Sequence, residues 1–152
     1  MDDIEIHRKK LSFRAGHRGT KEMDMLLGNF TDKYIKEASL NSEKWWSLVN
    51  NGEFEESYEM LTDLLKDRYS ISSWKMQISM LMDEIGQIKS RSIEESYFQS
   101  ELEGFENGFY VIINYQVDYT KTKNHTENII LKQNNDFKWN VFDFNYTFQS
   151  LE

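Results

Sequence analysis

Phe109-Tyr110-Val111-Ile112-Ile113-Asn114-Tyr115-Gln116-Val117-Asp118-Tyr119 is the stretch that decides the fold. Phe109, Val111, Ile113, Tyr115, Val117 and Tyr119 recur at every second position, with Tyr110, Ile112, Asn114, Gln116 and Asp118 between them. A two-residue rhythm in β-branched and aromatic residues puts one set on one face of a strand. Working outward toward the C-terminus, 121–124 reads as a loop and 126–133 as a strand holding Ile129, Ile130 and Leu131. Asn134-Asn135-Asp136 reads as a turn, and 137–148 as a final aromatic strand. Upstream, 104–108 carries turn chemistry between two glycines, and 88–100 is a polar strand rich in Ser and Glu. Four strands with short connections predict an antiparallel meander.

Before Gly86 the apolar rhythm lengthens to that of a helix. Trp74, Ile78, Leu81, Met82 and Ile85 share one side of a segment starting at Ser72 or Ser73, and Gly86 is its C-cap. Phe54, Tyr58, Leu61, Leu64 and Leu65 form a second stripe. Trp45, Trp46, Leu48 and Val49 follow Ser42, an N-cap candidate, and Asn51-Gly52 ends that helix. Further upstream, Met23, Leu26, Leu27, Phe30 and Tyr34 make a stripe after Thr20, in a helix expected to run to about Glu37. Residues 4–17 read as a basic helix with Ile4, Ile6, Leu11 and Phe13 as its apolar positions, interrupted by Gly16 and Gly19. The fold class is α+β: an N-terminal helical hairpin, then about three helices on a four-stranded meander, a cone-like half-barrel. The expected units are 1–38 and 41–152.

Composition narrows the chemistry. The 152 residues contain no Cys and no Pro, which removes disulfides, thiolate nucleophiles and Cys-ligated metals. Net charge is -8, a poor balance for general nucleic-acid binding. The charge is uneven: Arg8, Lys9, Lys10, Arg14, Arg18 and Lys21 lie in an acid-free run whose expected partner is a protein surface. No window is long and apolar enough for a membrane span, and the acidic start lacks a secretory h-region, so a cytoplasmic protein is expected.

The order Arg8-Lys9-Lys10-Leu11-Ser12-Phe13-Arg14, His17-Arg18-Gly19-Thr20-Lys21-Glu22-Met23-Asp24 and Leu26-Leu27-Gly28-Asn29-Phe30 resembles the start of the SdhE family. These are the bacterial FAD assembly factors of succinate dehydrogenase, whose mitochondrial counterpart is assembly factor 2. Their R-G-x-x-E signature is matched by Arg18, Gly19 and Glu22, and the wider block looks like the alphaproteobacterial form. The resemblance runs to about Ala38. It implies a non-catalytic protein that binds the succinate dehydrogenase flavoprotein subunit and promotes its flavinylation. The implied contact residues are Arg8, Arg14, His17, Arg18, Gly19, Glu22 and Asp24. From Ser42 the chain resembles a different bacterial family, an α+β domain of unknown function. Trp46, Leu48, Val49, Asn50, Gly52, Phe54, Ser57 and Tyr58, then Ser73 and Trp74, Gly86, Ile88, Lys89, Ser90 and Arg91, then Gly108, Tyr110, Val111 and Ile112, then Glu127, Trp139 and Val141 carry that likeness.

Other constellations have plainer readings. His7, His17 and His125 share no metal-ligand spacing and read as surface or capping residues. Glu94, Glu95, Glu101, Glu103 and Glu106 could do acid–base work, but such a run is more often a solvated strand face. Lys89-Ser90-Arg91 reads as a strand start with salt bridges. Trp45, Trp46, Trp74, Phe109, Tyr115, Trp139, Phe142 and Tyr146 either fill the core, their default role, or line a pocket at the mouth of the cone. No phosphate loop, catalytic triad or dinucleotide fingerprint emerges, so no enzyme, metal or cofactor is expected. Two functions stand: an FAD assembly factor-like protein, or a ligand- or partner-binding α+β domain with a vestigial basic arm.

Overall fold

A computed structural model describes residues 21–151, with side chains from Phe30 onward. The basic helix expected over 4–17 and the Thr20 cap lie outside the described residues. Among the described residues four helices come first: α1 (Lys21–Asn50), α2 (Phe54–Glu59), α3 (Asp63–Arg68) and α4 (Ile71–Ile85). The strands β1 (Ile88–Gln99), β2 (Tyr110–Tyr119), β3 (Thr122–Gln133) and β4 (Trp139–Ser150) follow. They form one antiparallel sheet in the order β1-β2-β3-β4, so the α+β meander is as expected.

The first difference from expectation is α1. A break after Glu37 and a new start at Ser42 were expected; the helix is continuous. No Gly or Pro lies between Asn29 and Asn51 to end it. Ser42, read as a cap, and its neighbour Asn41 are spent on the sheet instead. Ser42 is fully buried, 2.7 Å from the Tyr115 hydroxyl, and Asn41 Nδ2 donates to the Trp139 carbonyl at 3.0 Å. Ala38, Trp45, Trp46 and Val49 sit on the same buried face, and Tyr34 and Ile35 pack against that core. The expected boundary between 1–38 and 41–152 thus falls inside one helix. Gly52, at φ +80, ends it: the Glu53 and Gly52 amides cap the Leu48 and Val49 carbonyls.

The stripe from Phe54 to Leu65 is two short helices rather than one. Between them the backbone pairs with the edge of β4: the Thr62 amide donates to Val141 O at 2.9 Å and the Val141 amide to Met60 O at 2.8 Å. Thr62 then caps α3, accepting from the Leu65 amide. α4 begins at Ile71, one or two residues earlier than read, because Ser70 Oγ accepts from the Ser73 amide at 3.1 Å. Trp74, Ile78, Leu81 and Ile85 are buried as expected. At its end Gly86 has φ +86, and a Cβ there would lie 2.1 Å from Thr120 Oγ1. Only glycine lets the β2–β3 turn approach so closely. That turn is tighter than the loop expected over 121–124, since β3 already starts at Thr122. Likewise β4 begins and ends two residues beyond the range read for it.

The main core lies between the helices and the inner sheet face, where Val111, Ile113, Tyr115, Val117 and Tyr119 point together. On the outer face a smaller cluster of Tyr97, Leu102, Tyr110, Ile112, Ile130 and Phe142 packs near the 100–109 connection. Register shifts interrupt the ladder at Ile88/Ser90, Ile93/Glu95, Lys123/Thr126 and Ile130/Leu131. The two in β1 matter for function: Arg91 and Ile93 lie between them and face inward, opposite Val117 and Tyr115, and the shift at Ile93/Glu95 inserts Glu94.

Candidate functional site

Of the contact residues expected from sequence, Arg8, Arg14, His17, Arg18 and Gly19 lie outside the described residues. Glu22 and Asp24 fall at the start of α1. The described residues hold a different constellation, at the end of the sheet where α1 terminates.

Arg91 on β1 reaches inward across β2 to Glu127 on β3. Its Nη2 and Nε donate to Glu127 Oε1 at 2.9 and 3.2 Å. Nη1 donates to Asn50 Oδ1 at 3.1 Å and Nη2 to Tyr119 Oη at 2.9 Å. Tyr119 in turn donates to Glu127 Oε2 at 3.1 Å and accepts from Asn50 Nδ2 at 3.1 Å. The guanidinium lies 4.7 Å from the Trp46 ring and 5.6 Å from the Tyr115 ring. The Glu127 side chain is 1% exposed and that of Arg91 13%. A buried carboxylate persists at neutral pH only with such compensation. Burial, and next the Glu127 charge, push the Tyr119 hydroxyl up to about 12. Burial also raises Tyr115.

His125 corrects an expectation: it is 1% exposed, not a surface or capping residue. Its ring stacks on Phe148 at 5.3 Å, and Nδ1 lies 3.2 Å from Thr122 Oγ1. Nε2 is 3.2 Å from Glu127 Oε2 but makes no hydrogen bond to it. Sequence reasoning missed this cluster, although one signal was present. His125 and Glu127 share the parity of Ile129 and Leu131, so a strand that buries the latter buries the former. Arg91 had no such signal, because the shift at Ile93/Glu95 reverses its face.

Chemically the cluster is a clamp. Glu127 is committed to Arg91 and Tyr119, so it is no free general base, and the guanidinium is neutralised where it sits. The clamp ties α1, β1, β2 and β3 together beneath an open cleft of about 530 Å³ lined by Glu43, Ser47, Asn50, Arg91, Ile93 and Tyr115. The expected salt bridge in the Lys89-Ser90-Arg91 run is therefore present, and Ser90 adds a 3.1 Å bond to Asp118. Much of the aromatic set fills the interior. Trp45, Trp46 and Trp74 converge on Phe144. The Trp45 and Trp74 indoles donate to Ser57 at 3.1 and 3.0 Å. Among the acids, Glu94 and Glu95 border an outer-face groove of about 650 Å³. Glu106 pairs with Lys132, whose hydrogen bond and charge hold the carboxyl below its usual range. Among the described residues, no three His, Asp or Glu side chains are grouped to hold a metal, and no helix is long and apolar enough to cross a membrane.

Two family models match the chain. Residues 9–49 match the family described as flavinator of succinate dehydrogenase (Sdh5), beyond the expected end near Ala38. Residues 41–144 match a protein family of unknown function, DUF4019. The two overlap along the last turns of α1, where Trp45, Trp46 and Val49 are buried in the α+β core. No curated protein matches the chain. The second match spans more than half of the 152 residues, from the buried half of α1 to β4, and the chain therefore belongs to the DUF4019 family.

Proposed function

We propose that this chain is a non-catalytic FAD assembly factor-like protein, cytoplasmic in setting, that binds the succinate dehydrogenase flavoprotein subunit and promotes its flavinylation. The carrying observation is the flavinator match over residues 9–49, which includes Arg18, Gly19 and Glu22 of the R-G-x-x-E signature. Arg8, Arg14, His17, Arg18, Gly19, Glu22 and Asp24 form the contact set. An arginine forks onto a partner carboxylate, and a glycine lets the partner backbone come close. In this reading 1–38 is the recognition unit and 41–152 the α+β unit that carries it. The continuity of α1 supports a rigid link between the two, since one helix bears residues of both matches. The test is covalent FAD on the flavoprotein subunit in cells where this chain replaces the resident assembly factor. Restored flavinylation that is lost with Gly19→Arg supports the proposal; no restoration, or restoration indifferent to Gly19→Arg, rejects it.

The longer match over 41–144 favours a second reading, in which the α+β unit binds its own ligand or partner and the basic arm is vestigial. Under that reading a chain without residues 1–29 keeps all binding activity.

A further inference from the structure

At the end of the sheet opposite the Arg91 clamp, aromatic side chains face outward. Phe30, Phe109 and Phe137 are 46%, 42% and 79% exposed. They are not scattered. Phe30 stacks on Tyr34 at 6.4 Å between centroids, and Tyr34 stacks on Phe109 at 5.1 Å. Phe98 lies 5.8 Å from Phe109 and 5.6 Å from Tyr34. Gln133 links the two backbones: its amide donates to Phe109 O at 3.0 Å and its Nε2 to Phe137 O at 3.4 Å, so Phe137 emerges from the adjacent turn at the same end of the sheet. Exposed charges of both signs, Asp32 and Lys33 near Phe30 and Asp136 and Lys138 flanking Phe137, accompany these residues along the chain.

Phe137 is held in place against its own preference. Its φ is +63, a region bulky side chains avoid. The Asn134 side chain enforces the turn, accepting from the Asp136 and Lys138 amides at 2.8 and 3.0 Å. A buried ring would account for such a turn by packing; this one points into solvent.

We propose that this aromatic patch is a second contact surface for the same protein partner that the N-terminal segment engages, the flavoprotein subunit. This deepens the functional reading above and rests on it. Continuity selects the occupant. α1 lies against the patch through Phe30 and Tyr34, then continues to Lys21, about 14 Å farther along its axis at 1.5 Å per residue. The flavinator match runs along that same helix. Phe30 and Tyr34 lie within the matched residues, so a partner engaged by the matched stretch of α1 meets the patch there. Its complementary surface is apolar at the centre, to receive Phe109 and Phe137, with charges of both signs around it.

The test uses the full chain, the purified flavoprotein subunit as probe, and titration calorimetry. Phe109→Ser with Phe137→Ser is expected to weaken binding about tenfold or more, the loss typical of two buried aromatic anchors. Phe137→Leu is expected to keep most of the affinity, and circular dichroism should be unchanged throughout. Wild-type affinity in the double variant, while Gly19→Arg abolishes binding, overturns the patch alone and leaves the functional reading standing. Absence of binding by the unmodified chain overturns both. A concentration-dependent dimer broken by the double variant, with flavoprotein binding intact, assigns the patch to self-association and also overturns the proposal.

Discussion

The two ends of the sheet invert the usual distribution of residues. At one end Arg91 and Glu127 are largely buried beside Tyr119; at the other Phe30, Phe109 and Phe137 face water. Charges inside need partners, and these have them, so that end is a structural lock. Phe137, 79% exposed, gains little for a monomer, and a bulky residue held at φ +63 costs about 1–2 kcal/mol. That end is built for contact. One end serves stability and the other recognition, and substitutions should separate them.

The sharpest break comes at the lock. Glu127→Ala leaves the Arg91 guanidinium without its counter-charge, so urea unfolding should show a loss of about 3–5 kcal/mol. Flavoprotein binding by the fraction that remains folded should not change. A loss under 1 kcal/mol would show that the cluster is solvated rather than buried.

High pH probes the same end. Tyr119 ionises near 10 when unfolded and is pushed up to about 12 when folded. The folded state thus keeps a proton that the unfolded chain releases. The contribution is complete below pH 10 and falls as pH rises to 12, by about 2–3 kcal/mol at 1.36 per unit. Burial raises Tyr110, Tyr115 and Tyr146 in the same direction. Tyr119→Phe should flatten this alkaline slope in stability measured against pH. An unchanged slope would place its cause elsewhere.

Next in size is Gly86→Ala. The positive φ and the approach of Thr120 Oγ1 require the β2–β3 turn to move, at about 1–3 kcal/mol. The thermal midpoint should fall, and Thr120→Ala in the same chain should recover part of it. The smallest stability effect belongs to the aromatic end. Phe137→Ser should leave the melting curve within about 0.5 kcal/mol of wild type, as befits a side chain that is 79% exposed. A large loss would make Phe137 a packing residue and erase the contrast.

A good part of this molecule was legible before folding. The alternation from Val111 to Tyr119 located the central strand and its inner face, and the helical stripe from Trp74 to Ile85 located α4. Both signals are local, because each comes from the repeat of one element. Boundaries were read less well where a side chain had two possible uses. Ser42 suits a helix cap, yet it bonds Tyr115, a residue far along the chain that only the packed sheet brings near. Met60 to Thr62 fit a helical stripe, yet their backbone pairs with Val141 on β4.

The candidate site divides along the same line. Unaided, the amino-acid order determined the α+β class, the four-strand meander, the uneven charge and the chemistry excluded by lacking cysteine. Tertiary structure alone decided that Arg91 faces inward to Glu127, and that Phe30, Phe109 and Phe137 come to the same end of the sheet. The reason is physical: periodicity records which residues of a single element share a face, whereas a one-residue register shift at Ile93/Glu95 exchanges the faces of β1, and only pairing with β2 reveals it.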